Sequence, residues 1–106
     1  MDIRVACIRL RYADWDGGQY MVRSLVCILD PGGEPVSGVR VTADWTLPDG
    51  STKTQRALTN VRGQARFWVG SRQTGEYQIC IAQLEKNGYA YDPDQDVVRC
   101  DTLVVP

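Results

Sequence analysis

Three groups of side chains in this sequence are of types that could do chemistry: four cysteines, a run of alternating acids, and a scatter of tryptophans and tyrosines. Cys7, Cys27, Cys80 and Cys100 contain no Cys-x-x-Cys pair, and the chain has no histidine to complete a zinc set. Their spacing argues against zinc and for disulfides. The interval from Cys7 to Cys27 equals that from Cys80 to Cys100. The first interval is centred on Gly17, inside the turn Asp16-Gly17-Gly18, and the second on Ala90, inside Gly88-Tyr89-Ala90-Tyr91. Each pair then falls opposite itself across a hairpin, where facing Cα atoms lie about 4.5 to 5.5 Å apart, within the reach of a disulfide. The expectation is two hairpin staples, Cys7 with Cys27 and Cys80 with Cys100, and an oxidising location. Four free, buried thiols in a reducing compartment are the alternative.

The acids Asp92, Asp94 and Asp96 alternate through one loop, a spacing that could wrap a calcium ion. The EF-hand pattern is absent: Val97 follows the third acid, and Leu103 stands where the bidentate glutamate belongs. A solvated acidic turn is the plainer reading. A smaller acidic pair, Asp14 and Asp16, falls by strand counting at the opposite end of the molecule. Among the aromatics, Trp15 and Tyr20 flank the first turn, Tyr89 and Tyr91 the last, and Trp68 has the outward parity of Arg66. Exposed indoles and phenols stack on sugar rings or anchor a protein partner. Packing over the end of the core, or under a neighbour, is the competing account of each. No serine has a histidine to activate it, no phosphate loop is present, and no cysteine sits in a nucleophile context, so no independent enzymatic activity is expected.

The elements that must position these groups are strands. Val39, Val41, Ala43 and Trp45 alternate with Arg40, Thr42, Asp44 and Thr46, which places one apolar and one polar row on opposite faces. Helical spacing is nowhere sustained. Turn residues cut the chain at Asp16-Gly17-Gly18, Asp30-Pro31-Gly32-Gly33, Pro48-Asp49-Gly50, Arg62-Gly63 and Asp92-Pro93-Asp94. Seven strands follow, at about 3–12, 20–29, 36–47, 51–59, 64–70, 76–85 and 96–105. That number and spacing predict an all-β sandwich of two sheets with Greek-key connections. Within it, Ala6, Ile8 and Leu10 are the expected inward row of the first strand, leaving Cys7, Arg9 and Arg11 outside; Cys27 shares parity with Arg23, and Cys80 with Gln78. Trp45 is the expected core aromatic of the third strand.

With 106 residues, one core over 1–106 and no second domain are expected. Hydrophobic residues at 43% and charged residues at 24% are the balance of an ordinary globular chain. A net charge of -1, from 12 basic and 13 acidic side chains, lacks the footprint of a non-specific nucleic-acid or anionic-membrane binder. No apolar run approaches the roughly 20 residues of a membrane span, so no membrane insertion is expected, and no charged-then-apolar leader opens the chain.

Three segments carry a family resemblance. Asp30-Pro-Gly-Gly-Glu-Pro-Val-Ser-Gly-Val-Arg-Val41 resembles the D-x-x-G-x-P-V-x-G-V-x-V entry of bacterial immunoglobulin-like domains. Thr59-Asn-Val-Arg-Gly63-Gln-Ala65-Arg-Phe67 resembles their T-x-x-x-G-x-A-x-F segment, and Gly75-Glu-Tyr77 the G-x-Y that opens their sixth strand. The matches fall in family order and cover about residues 30 to 81. The tail Gly88-Tyr-Ala-Tyr-Asp92-Pro93 is similar to the last hairpin of immunoglobulin-like accessory modules in secreted bacterial enzymes, notably peptidases. The resemblance implies an immunoglobulin-like Greek-key sandwich with Tyr77 tying its strand to the preceding loop. It also implies a non-catalytic module of a secreted or cell-surface bacterial protein: a spacer, stalk or accessory beside adjacent domains of a parent chain. A carbohydrate-binding module using Trp15, Tyr20, Trp68, Tyr89 and Tyr91, and an adhesin domain for a protein partner, are the alternatives. Two hairpin disulfides depart from the family pattern. The order Cys27, Trp45, Cys80 is similar to that of antibody domains, but there a tyrosine two residues before the second cysteine shares its face. Here Tyr77 precedes Cys80 by three, the wrong parity for a buried bond between sheets.

Overall fold

The computed structural model describes residues 1–15 and 17–106; Asp16 and the side chain of Trp15 lie outside the described residues. The chain forms β1 (Asp2–Trp15), β2 (Gln19–Leu29), β3 (Arg40–Thr46), β4 (Thr52–Leu58), β5 (Gln64–Ser71), β6 (Gly75–Glu85), β7 (Ala90–Tyr91), a single 3₁₀ turn (Pro93–Gln95) and β8 (Cys100–Val105). These build two sheets, β5-β2-β1-β7 and β4-β3-β6-β8, packed face to face as an all-β sandwich. Seven of the strands are those the turn residues mark out. The third starts later than expected, at Arg40, because Pro35 lacks an amide donor and makes only an isolated bridge to Leu29 before the chain turns at Gly38. The last starts at Cys100 rather than 96, because Asp92 caps the 3₁₀ turn and Pro93 opens it. The freed segment supplies β7, which pairs in parallel with Asp2 and Ile3 of β1.

The core lies between the sheets. Val22, Val26 and Ile28 of β2 and Ala65, Phe67 and Val69 of β5 face Val41, Ala43 and Trp45 of β3 and Tyr77, Ile79 and Ile81 of β6, all buried. Trp45 is fully buried, and its indole Nε1 donates to Gln55 Oε1 at 2.9 Å. The amide Nε2 of Gln55 in turn donates to the carbonyl of Trp68 at 2.7 Å, which ties β4 to β5 where the two sheets meet edge to edge. Tyr77, also fully buried, donates its hydroxyl to the Gln73 carbonyl at 2.7 Å and fixes the loop that enters β6.

One row differs from its expected parity. The inward residues of β1 are Ile3 and Val5, then Ile8, with Leu10 half-buried beside them; Ala6 sits at a register shift between Val5 and Cys7. That β-bulge reverses the alternation. Without it Cys7 would share the face of Ile3 and Val5 and point into the core. Gly63 marks a second constraint: its φ is +71°, and a Cβ there would stand 2.6 Å from the Ile28 carbonyl oxygen, which already accepts from the Val36 amide.

The sandwich is long and narrow, with principal extents of 45 × 24 × 19 Å. Asp2 pairs with Ala90 at one end, beside the connection from Lys86 to Arg99. Val105 pairs with Gly75 at the other, the end that Tyr20 and Ser71 reach beside Gly17 and Gly18. The two termini therefore leave from opposite ends of the long axis.

Candidate binding face

Alternation along β1, β2 and β5 sends Arg9, Arg11 and Ala13, then Met21, Arg23 and Leu25, then Arg66 and Trp68 to the outer surface of one sheet. Register sets Ala13 opposite Met21 and the rest into two rows. Arg9 pairs with Leu25, which pairs with Arg66; Arg11 pairs with Arg23, which pairs with Trp68. The next row outward joins Cys7, Cys27 and Gln64, and the first two are bonded, with Cα atoms 5.0 Å apart. All four arginines are exposed, Leu25 is half-buried beneath them, and Trp68 keeps 55% of its surface open. Together they line a shallow depression of about 600 Å³. The segments 7–13, 21–27 and 64–70 contain no Asp or Glu at all. Among the described residues, the one side-chain hydrogen bond an arginine of the face makes is from Arg23 Nε to the sulfur of Met21, at 3.2 Å. Guanidinium groups are permanent cations with donors only, so this surface can hold and orient an anion but cannot exchange protons with it.

The opposite sheet carries the second disulfide, Cys80 with Cys100, Cα atoms 4.1 Å apart, again on the outward row. Both pairings are the across-hairpin ones, and no free cysteine is left. The second bridge spans a connection that contains β7 and the 3₁₀ turn rather than a tight hairpin.

The aromatic residues singled out from the sequence are not gathered into one platform. Tyr20 is half-buried, its ring edge-on to Tyr12 with centroids 6.2 Å apart. Tyr89 lies under the Lys86 ammonium, 5.0 Å from its centroid, at the far end of the sandwich. Tyr91 donates its hydroxyl to Asp96 Oδ2. Burial, then the bond to and charge of Asp96, hold this phenol well above its ordinary value of 10.0. Only Trp68 stands open on a sheet surface, and the side chain of Trp15 is outside the described residues.

The acidic loop also differs from the calcium expectation. Asp92 Oδ1 accepts from the Asp94 amide as an N-cap, and Asp96 Oδ1 accepts from the Val5 amide of β1 at 2.7 Å while Oδ2 takes the Tyr91 hydroxyl. Among the described residues no group of three acidic, histidine or cysteine side chains is placed to hold a metal ion. The side chain of Asp92 thus serves turn formation and that of Asp96 the docking of the connection onto β1. Asp14 lies at the other end of β1, as strand counting places it, while Asp16 is outside the described residues.

Sequence reasoning missed the arginine face. Each strand's outward parity was legible, but a net charge of -1 is a sum over the chain and conceals a surface where one sign is concentrated. The signal that could have found it is the absence of acids from three outward-alternating segments. No helix of the described residues is long and apolar enough to cross a membrane. Comparison with known proteins finds no matching family model, no matching curated protein and no matching solved structure.

Proposed function

We propose that this chain is a non-catalytic, immunoglobulin-like module of an extracellular or cell-surface protein that holds flanking segments apart. The observation that carries this reading is the exit of the two termini at opposite ends of a 45 Å axis, in a sandwich whose two sheets are each stapled by a disulfide. Support for the immunoglobulin-like assignment comes from the partition of strands, with β1, β2 and β5 in one sheet and β3, β4, β6 and β8 in the other. The buried Trp45 on the third strand and the Tyr77 hydroxyl bonded back to Gln73 point the same way. Disulfides persist where the surroundings are oxidising, which supports the location.

Pulling on a polyprotein of tandem copies tests the reading. Each staple locks a stretch with a sequence separation of 20 residues. At about 3.5 Å per extended residue, unfolding under oxidising conditions releases about 14 nm less chain per module than after reduction. A load-bearing spacer gives a resolvable force peak with the shorter increment. Extension without a peak in the oxidised state overturns the spacer reading.

A further inference from the structure

Arg11 and Arg23 stand directly opposite one another across β1 and β2, and Arg9 and Arg66 flank Leu25 in the adjacent row. Like charges at facing positions of a sheet are unfavourable, and natural sheets ordinarily set an opposite charge or a neutral partner there. No carboxylate in these strand segments relieves the repulsion. Such a local conflict, kept on an open surface beside an exposed indole, is the mark of a face built for something outside the chain.

We propose that the outward face of β5-β2-β1 binds an acidic polysaccharide, one whose sulfate or carboxylate groups recur every sugar or two. The cations are all arginines, whose planar fork takes two oxygens of a sulfate or carboxylate at once. Their lattice suits a sparsely charged polymer: Cα positions lie about 6.6 Å apart along a strand and about 10 Å apart across three strands. Duplex DNA carries a charge every ~1.7 Å of its axis, a much denser array. Trp68, next to Arg23 on β5, offers a flat apolar surface to the C–H face of a sugar ring. Single-stranded nucleic acid instead calls for a succession of stacking aromatics, and among the described side chains lining this depression one indole lies open while Tyr12 is engaged edge-on with Tyr20.

The proposal is independent of the spacer reading, and the force measurement does not bear on it. Its test is a titration of the oxidised protein at low ionic strength with chondroitin sulfate and with polygalacturonate, followed by tryptophan fluorescence and calorimetry. Neutral dextran, oligo-dT and phosphatidylserine vesicles are the comparison ligands. Saturable binding of an acidic polysaccharide is expected, weakened about tenfold or more in Arg11→Ala/Arg23→Ala, with Trp68→Ala weakening it severalfold and removing the fluorescence change. Arg40→Ala/Arg56→Ala, which deletes the same charge from the opposite sheet, is expected to bind within about twofold of the parent. Unfolding midpoints of the variants separate lost binding from lost structure. Three results would overturn the proposal: no saturable binding of either acidic polysaccharide, an equal loss in both double variants, or tighter binding of oligo-dT or vesicles than of either polysaccharide.

Discussion

The two outer surfaces of the sandwich share a covalent device and differ in how they treat charge. On each, one disulfide joins neighbouring strands at facing positions, Cys7 to Cys27 and Cys80 to Cys100. On the β4-β3-β6-β8 surface no two like charges face each other in register among the described residues. Arg40 faces Glu85 across β3 and β6, Arg56 faces Thr42, and Asp44 accepts the Thr54 hydroxyl at 2.7 Å. On the β5-β2-β1 surface Arg11 faces Arg23, and the neighbouring positions add two more arginines. The first arrangement is complete without any ligand; the second leaves repulsion that an anion removes. The difference separates a surface that serves the fold from one that serves contact, although both grow from the same alternation along the strands.

The staples give the largest effects and test whether the surfaces are alike in their shared device. Replacing Cys7 and Cys27 together by alanine, or Cys80 and Cys100 together, is expected to cost about 3 kcal/mol in either case, because the two closed loops have the same length. Denaturant unfolding of the two variants measures it, and a large inequality would show that one surface depends on its staple more than the other. The treatment of charge comes next. Thr54→Ala on the paired surface is expected to destabilise by about 1 kcal/mol, since it leaves the Asp44 carboxylate without its donor. Arg23→Glu on the arginine surface is expected to do the reverse, stabilising by about 0.5 kcal/mol at low salt by setting opposite charges across β1 and β2. Added salt should erase that gain. A destabilised Arg23→Glu protein would end the claim that the face is repulsive.

The last effect belongs to neither surface and shows itself only at alkaline pH. The Tyr91 phenol, held above its ordinary value by burial and by Asp96, keeps its proton where the unfolded chain loses it. The stabilisation is fully present below pH 10.0 and falls as pH rises beyond that value. The stability difference between the parent and Tyr91→Phe should therefore shrink from pH 9 to pH 11 in paired denaturant titrations. A difference that stayed constant would remove Tyr91 from the account of alkaline stability.

Much of this fold was legible because period-two alternation and turn residues are local. The segments around Val41 and Trp45, and around Phe67 and Val69, carry their own inward and outward rows, and the glycines and prolines between them cut the chain where it turns. The cysteine pairing was legible from symmetry alone. The bulge at Ala6 was not, since it exists only against β2; nor was β7, which forms because Asp96 and the Val97 amide dock the connection onto Val5. The candidate site divides in the same way. Trp68 and the outward parity of Arg9, Arg11, Arg23 and Arg66 could be read one strand at a time. In the acidic loop, the tertiary structure alone decided that Asp92 would accept a backbone amide and Asp96 an amide of β1 and the Tyr91 phenol.

The sequence by itself determined an all-β sandwich, its turns, its two disulfides and, outside the bulged first strand, the side of the strands that meets water, because these follow from residue type and short-range spacing. Only the tertiary structure decided that β2 lies between β1 and β5, so that four arginines distant in sequence share one acid-free surface. Strand order is fixed by which apolar rows bury best against one another, a property of the assembled core, and the charge pattern on the outside is inherited from that choice.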